Sequence, residues 1–235
     1  MFKLIRSISQ LGATLLVVVA LSACGGTRGA SDGAVARVGS MSISRAMYDH
    51  WMAISVALRN PPTPGQTPSA PVVPDPPGFP ACIAHLQATL PAHQLSTGQL
   101  KAECRRDYTD IQSGTLKFLI SAYWTRSEAV DQGIAVSDAD VQRRFDQIKQ
   151  QSYRGEADFQ KFLASSDQTV PDLLFSVKTQ MLSVKIQQKI TKGNGKDRGK
   201  ATQSALSFAQ SSLKKWASKT SCSPGFIVES CKEFK

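Results

Sequence analysis

The chain has 235 residues, 41% of them hydrophobic and 20% charged, with a net charge of +10. That length holds one domain with insertions or two small ones. It carries no HExxH, P-loop or GxGxxG pattern, so the metalloprotease and nucleotide-binding signatures are missing.

Residues 1–23 read as a signal peptide. Lys3 and Arg6 are the only charges before Cys24, and no acid occurs before Asp32. The apolar run from Leu11 to Leu21 is too short for a spanning helix, which needs about 20 residues, but suits a signal-peptide core. Leu21-Ser22-Ala23-Cys24 resembles a bacterial lipobox, so Cys24 is expected to be lipidated and to become the first residue. The alternative is an ordinary cleavage site beside an incidental cysteine. Two or three acyl chains anchor stably where one is marginal. The expected location is therefore the extracytoplasmic face of a cell membrane.

Residues 24–33 form a Gly/Ser-rich tether. AVARVGSMSIS then places Val35, Val38, Met41 and Ile43 around Gly39-Ser40, a small β-hairpin. Ser44 is the expected N-cap of a helix with Met47, Trp51, Ile54 and Leu58 near helical spacing, ended by Pro61-Pro62. Residues 61–80 hold nine of the twelve prolines and read as a polyproline-like insertion. A short helix is expected at 81–90 and a long one at 98–131, where Leu116, Leu119, Ile120, Tyr123, Trp124 and Val130 make a broad apolar face. Gly133 suits the left-handed position after a helix. Ser137 and Asp140 form a capping pattern flanked by Val136 and Val141. EADFQKFLAS is a short helix. Thr169 and Asp172 repeat the capping pattern before a helix ending near Ile190. Its two stripes, Leu173/Val177/Met181/Val184 and Phe175/Leu182/Ile186, predict burial between neighbours. Residues 191–200 read as a polar linker. The last helix, 201–218, carries Leu206, Phe208, Leu213 and Trp216, and a disulfide-closed tail follows.

With Cys24 committed to lipid, Cys82, Cys104, Cys222 and Cys231 remain. An even number in an exported chain suggests two bridges, and three pairings are open. Proximity favours Cys82–Cys104 and Cys222–Cys231. A metal site is not expected: CxxC spacing is absent, and His85 and His93 are the only nearby imidazoles. No cofactor is implied either. Nine Lys/Arg stand against Asp197 alone between Lys185 and Lys219. On an exported chain this excess suggests lipid headgroups, anionic envelope polymers or acidic polypeptides rather than nucleic acid, or simply a solvated basic surface.

The run FLISAYWTRSEAVDQGIAVSDADVQRRFDQIKQQ, then EADFQKFLASSDQTVPDLLFSVKTQMLSVKIQQKI, resembles the N-terminal chaperone domain of SurA/PrsA-type foldases. VARVGSMSIS is similar to the hairpin that opens those proteins, with Gly39-Ser40 in place of the usual Asn-Gly. Met47 sits where an acid often completes the capping box. The likeness spans about 34–59 and 110–190. It implies a mainly α fold, in which a helical chaperone domain with a small N-terminal β-hairpin is completed by the C-terminal helix. It also implies an apolar groove that holds unfolded or exported polypeptides. Met47, Trp51, Tyr123, Trp124 and Met181 are the candidate groove residues, with plain core as their alternative. A parvulin-type isomerase domain normally follows in this family and takes about 100 residues. Residues 191–235 carry neither its length nor its paired histidines, so no catalytic residue is expected. Peptidyl-prolyl isomerase activity and a structural envelope role remain the alternatives.

Overall fold

The computed structural model describes residues 33–59, 74–90, 95–194 and 197–233. The signal peptide, Cys24, the tether to residue 32 and the insertion's residues 61–73 lie outside them. Mainly helical, the chain also carries a small sheet. Strands β1 (Ala34–Val38) and β2 (Met41–Ser44) form the expected hairpin, pairing Ala36 with Ile43 and Val38 with Met41. Gly39 opens the turn at φ 57°, a conformation cheap only for glycine.

Helix α1 (Arg45–Arg59) starts where Ser44 Oγ accepts the Met47 N–H at 3.1 Å. Its buried face centres on Tyr48, Trp51, Met52, Ile54 and Val56, while Leu58 is exposed. Helix α2 (Pro80–Thr89) is short. Helix α3 (Thr97–Asp131) is the spine of the molecule, about 52 Å long at 1.5 Å per residue. Ser96 and Gln99 close a reciprocal capping box at its start. Its end is a Schellman turn: the Gly133 N–H reaches Val130 O at 3.0 Å, and the Ile134 N–H reaches Ala129 O at 2.8 Å. Gly133 takes φ 64°.

Helix α4 (Asp138–Ser152) begins with Ser137 Oγ accepting the Asp140 N–H at 3.1 Å. Helix α5 (Glu156–Ser166) precedes α6 (Val170–Thr191). At the start of α6, Asp172 Oδ2 accepts both the Thr169 N–H (2.8 Å) and its hydroxyl (2.6 Å). Helix α7 (Arg198–Ser218) starts inside the stretch read as linker, because Asp197 accepts the Lys200 N–H at 3.0 Å and caps it. Only a short 3-10 turn, Lys192–Asn194, is described before it.

The tail adds what the hairpin alone lacks. Strand β3 (Thr220–Cys222) pairs antiparallel with β1, Cys222 opposite Ala36, and the two-residue β4 (Lys232–Glu233) pairs parallel with β3. The sheet order is β2-β1-β3-β4. Both favoured disulfides are present, Cys82–Cys104 tying α2 to α3 and Cys222–Cys231 closing the tail.

Three apolar clusters are strung along α3. Cys104 packs with Phe79 and Cys82 at its N-terminal end. Ile111, Leu116, Leu119, Ile120 and Tyr123 join the sheet, α1 and Trp216 in the middle. Ala129 joins Val136, Val141, Phe145, Phe159, Val177, Leu182 and Ile186 at the other end. Val136 and Val141 therefore both serve the second half of the molecule, as the staple pattern implied. Val130 and Val184, read as core-facing, are instead 76% and 45% exposed. A face that fits a core over part of a 35-residue helix need not face one at its end.

Candidate functional site

The expected groove residues do not gather around one opening. Trp51 and Tyr123 are buried in the central core, and Met47 and Trp124 pack against it half-buried. Met181 belongs to the other cluster, with α4 and α5. Each has a structural partner. The Tyr123 hydroxyl lies 3.4 Å from Met47 Sδ, and Trp124 Nε1 donates to Thr220 Oγ1 at 2.7 Å. Four of the five thus share the central cluster and Met181 packs on the other, as the hydrophobic effect places large apolar side chains.

Exposed apolar side chains stand instead at two positions of a four-residue row of α3, Phe118 and Val130, with Ala122 buried and Arg126 half-buried between them. At one end, Phe118 is 41% exposed and stacks with Trp51 and Phe175 of α6, ring centroids 4.8 and 6.4 Å away. Trp51 and Phe175 are themselves 5.5 Å apart. At the other end is an apolar cleft of about 320 Å³. The hairpin turn (Val38 to Met41), the end of α3 (Arg126 to Asp131), Trp216 and Lys219 line it. Arg126 joins the two surfaces: it lines the cleft, and its guanidinium carbon lies 4.4 Å from the Phe175 ring centre. Burial lowers the Arg126 pKa from its usual range.

A polar network fixes the wall of the cleft that α7 supplies. Glu128 is only 4% exposed. Its Oε2 accepts from Lys215 Nζ at 2.9 Å and Trp216 Nε1 at 2.7 Å, and its Oε1 accepts from Gln132 at 2.9 Å. Lys215 also pairs with Asp131 at 2.8 Å. Burial opposes ionisation of Glu128, but the three donors together outweigh it and hold its carboxyl below the usual range. The hydrogen bonds to Asp131 and Glu128 raise the Lys215 pKa. A second polar link joins α1 to α6, where His50 Nε2 lies 2.8 Å from Asp172 Oδ1. Burial works against ionisation of Asp172 too. The bonds from Thr169 and His50 prevail, so its carboxyl also lies low.

This arrangement can hold an apolar side chain or a short apolar segment. Cys82, Cys104, Cys222 and Cys231 are all in disulfides, so none of the described cysteines is a free thiol. Among the described residues no group of three His, Cys, Asp or Glu is placed to hold a metal ion. No described helix is long and apolar enough to cross a membrane. Phe118 and Arg126 escape a sequence reading because an arginine within an apolar row looks like the start of a solvated face. The four-residue spacing from Phe118 to Val130 is the signal that could have found them. Comparison with protein-family models, curated proteins and solved structures finds no match to this chain.

Proposed function

We propose that the chain is a membrane-anchored, extracytoplasmic chaperone of the SurA/PrsA kind that holds apolar segments of unfolded or exported polypeptides. The observation that carries this reading is the half-exposed strip from Phe118 and Phe175 through Arg126 to Val130 and the cleft beside Trp216. A partly exposed aromatic cluster running into an apolar cleft suits capture of apolar chain better than catalysis. The resemblance of the opening hairpin and of the two capped helices supports the same reading. The lipobox at Cys24 supports anchoring, and no catalytic residue is assigned.

Proline-limited refolding of a model protein tests it. A stoichiometric amount of the chain should slow refolding, and a trace amount should leave the rate unchanged. Acceleration by a trace amount would establish a peptidyl-prolyl isomerase instead. No effect at any dose would remove both readings.

A second reading, docking on anionic envelope polymers or lipid headgroups, is favoured by one observation. Lys185, Lys189 and Lys192 line an open cleft of about 770 Å³ beside the Gly133 turn. Lys185 and Lys189 already donate to Ala135 O and Gln132 O, at 3.0 and 2.6 Å. Binding of this kind should fall sharply with salt, whereas capture of apolar chain should not.

A further inference from the structure

The charges around the strip do not cancel. Glu128 and Asp131 are both answered by Lys215, and Lys219 lies close enough to lower the Asp131 carboxyl further. Lys219 Nζ also rests 5.0 Å from the Trp216 ring centre. Arg126 is the remaining cation. Among the described residues it makes no ion pair and no hydrogen bond. Its neighbours are the face of Phe175 and the side chain of Tyr123. A half-buried guanidinium is costly without a counter-charge. A cation–π contact supplies no hydrogen-bond acceptor, so the guanidinium's N–H donors, a fork suited to a carboxylate, have none among the described residues.

We propose that Arg126 reads a carboxylate on the bound chain, so that the preferred segment is an apolar run interrupted by one Asp or Glu side chain. The apolar residues would lie on Phe118 and Phe175 to one side and in the Val130–Trp216 cleft to the other. The acid would sit between them, at the only charged position of the row. This inference rests on the strip being the polypeptide-binding surface. Charge complementarity selects the occupant: a segment with lysine at that position would bring two cations together, and a wholly apolar one would bury the guanidinium unpaired.

Two peptides blocked at both ends, identical except for Glu or Gln at the centre of an apolar run, test it by fluorescence anisotropy on the full chain. The Glu peptide should bind roughly tenfold more tightly, about 1.4 kcal/mol. Arg126→Gln should bring the two affinities together, and Arg126→Lys should restore only part of the difference, because an ammonium cannot make the forked contact. Equal affinities for the wild-type chain would overturn the inference and leave the chaperone reading standing. So would a preference that persists in Arg126→Gln. A Gln peptide with a free C-terminus that matches the blocked Glu peptide would also overturn it, since the site would then be reading chain ends. Binding of neither peptide would overturn the chaperone reading itself. The wild-type comparison needs no variant to fold.

Discussion

Glu128→Gln is the most informative single change, because it alters charge without altering shape. Glu128 accepts three hydrogen bonds, two on one oxygen and one on the other. A glutamine keeps one acceptor and turns an NH₂ toward at least one existing donor. Bonds to a charged group contribute about 1.5–3 kcal/mol each and neutral ones about 0.5–1.5 kcal/mol. Two weakened bonds and one lost bond would then cost about 3–5 kcal/mol. The Lys215 side chain is 35% exposed and keeps Asp131, so solvent screening and the surviving pair reduce this to about 2–3 kcal/mol. For a chain of this size that is a fall in Tm of about 4–12 °C, read by thermal melts in far-UV circular dichroism with the disulfides intact.

The pH dependence supplies the sign. The Glu128 carboxyl titrates below its usual range in the folded chain. Its contribution is therefore fully present above the unfolded value, near 4.3, and is lost as pH falls through the folded value. The gap between wild type and Glu128→Gln should be full at pH 7 and should close as pH falls below about 4. Lys215 acts in the opposite direction. Its raised pKa gives stability that is full below about 10.4 and lost at higher pH. A Tm at pH 7 within 1 °C of wild type would refute the network as a clamp. An equal loss at pH 7 and pH 2.5 would refute the claim that the ionised carboxylate is what stabilises, leaving only a shape effect.

Gly133→Ala should lower stability by about 1 kcal/mol in urea unfolding, because alanine must adopt the left-handed φ of 64° although no atom blocks the new methyl. Replacing Cys82 and Cys104 together by serine should cost about 3 kcal/mol, from the loop entropy of a 22-residue separation, and should raise hydrogen exchange first in α2. Thr169→Ala removes the hydroxyl that donates to Asp172 and should cost about 1 kcal/mol, with exchange rising in the first turn of α6. Leu119→Ala, at a fully buried site in the central core, should cost about 2–5 kcal/mol, with the larger loss expected where the helix cannot close the cavity.

Helix boundaries were legible wherever one side chain decides them. Ser44, Ser137, Thr169 and Gly133 each act within four residues, so their meaning is written locally. Asp197 acts in the same local way, but three glycines and a run of cations around it hid the cap, and α7 begins earlier than its composition suggests. A short extended piece in the disulfide-closed tail was legible, but the pairing of β3 with β1 was not. Three residues carry no periodicity, and their partner is the first strand of the chain, almost 190 residues away. The candidate site lies between these cases. The large apolar residues were found, but a helix as long as α3 meets different neighbours along its length. One hydrophobic stripe therefore cannot be assigned to a single core, and Tyr123 is buried while Val130 is bare.

The cleft is consequently a property of tertiary closure rather than of any one segment. Its floor and rim come from the hairpin turn at one end of the sequence and from Trp216 and Lys219 near the other, with only the α3 wall between them. The sequence-distant parts are held by β3 pairing with β1, by the Gly39 N–H bonded to Lys219 O at 2.9 Å, and by Lys215 and Trp216 reaching Glu128. The Cys222–Cys231 bond holds the tail that supplies β3. The aromatic end of the strip needs none of these, since Phe118, Trp51 and Phe175 come from α3, α1 and α6. Loosening α7 would therefore open one end of the strip and leave the other assembled. The Glu128 network governs the cleft, and the packing of α1, α3 and α6 governs the aromatic end. Arg126, stacked on Phe175 and lining the cleft, is where the two meet.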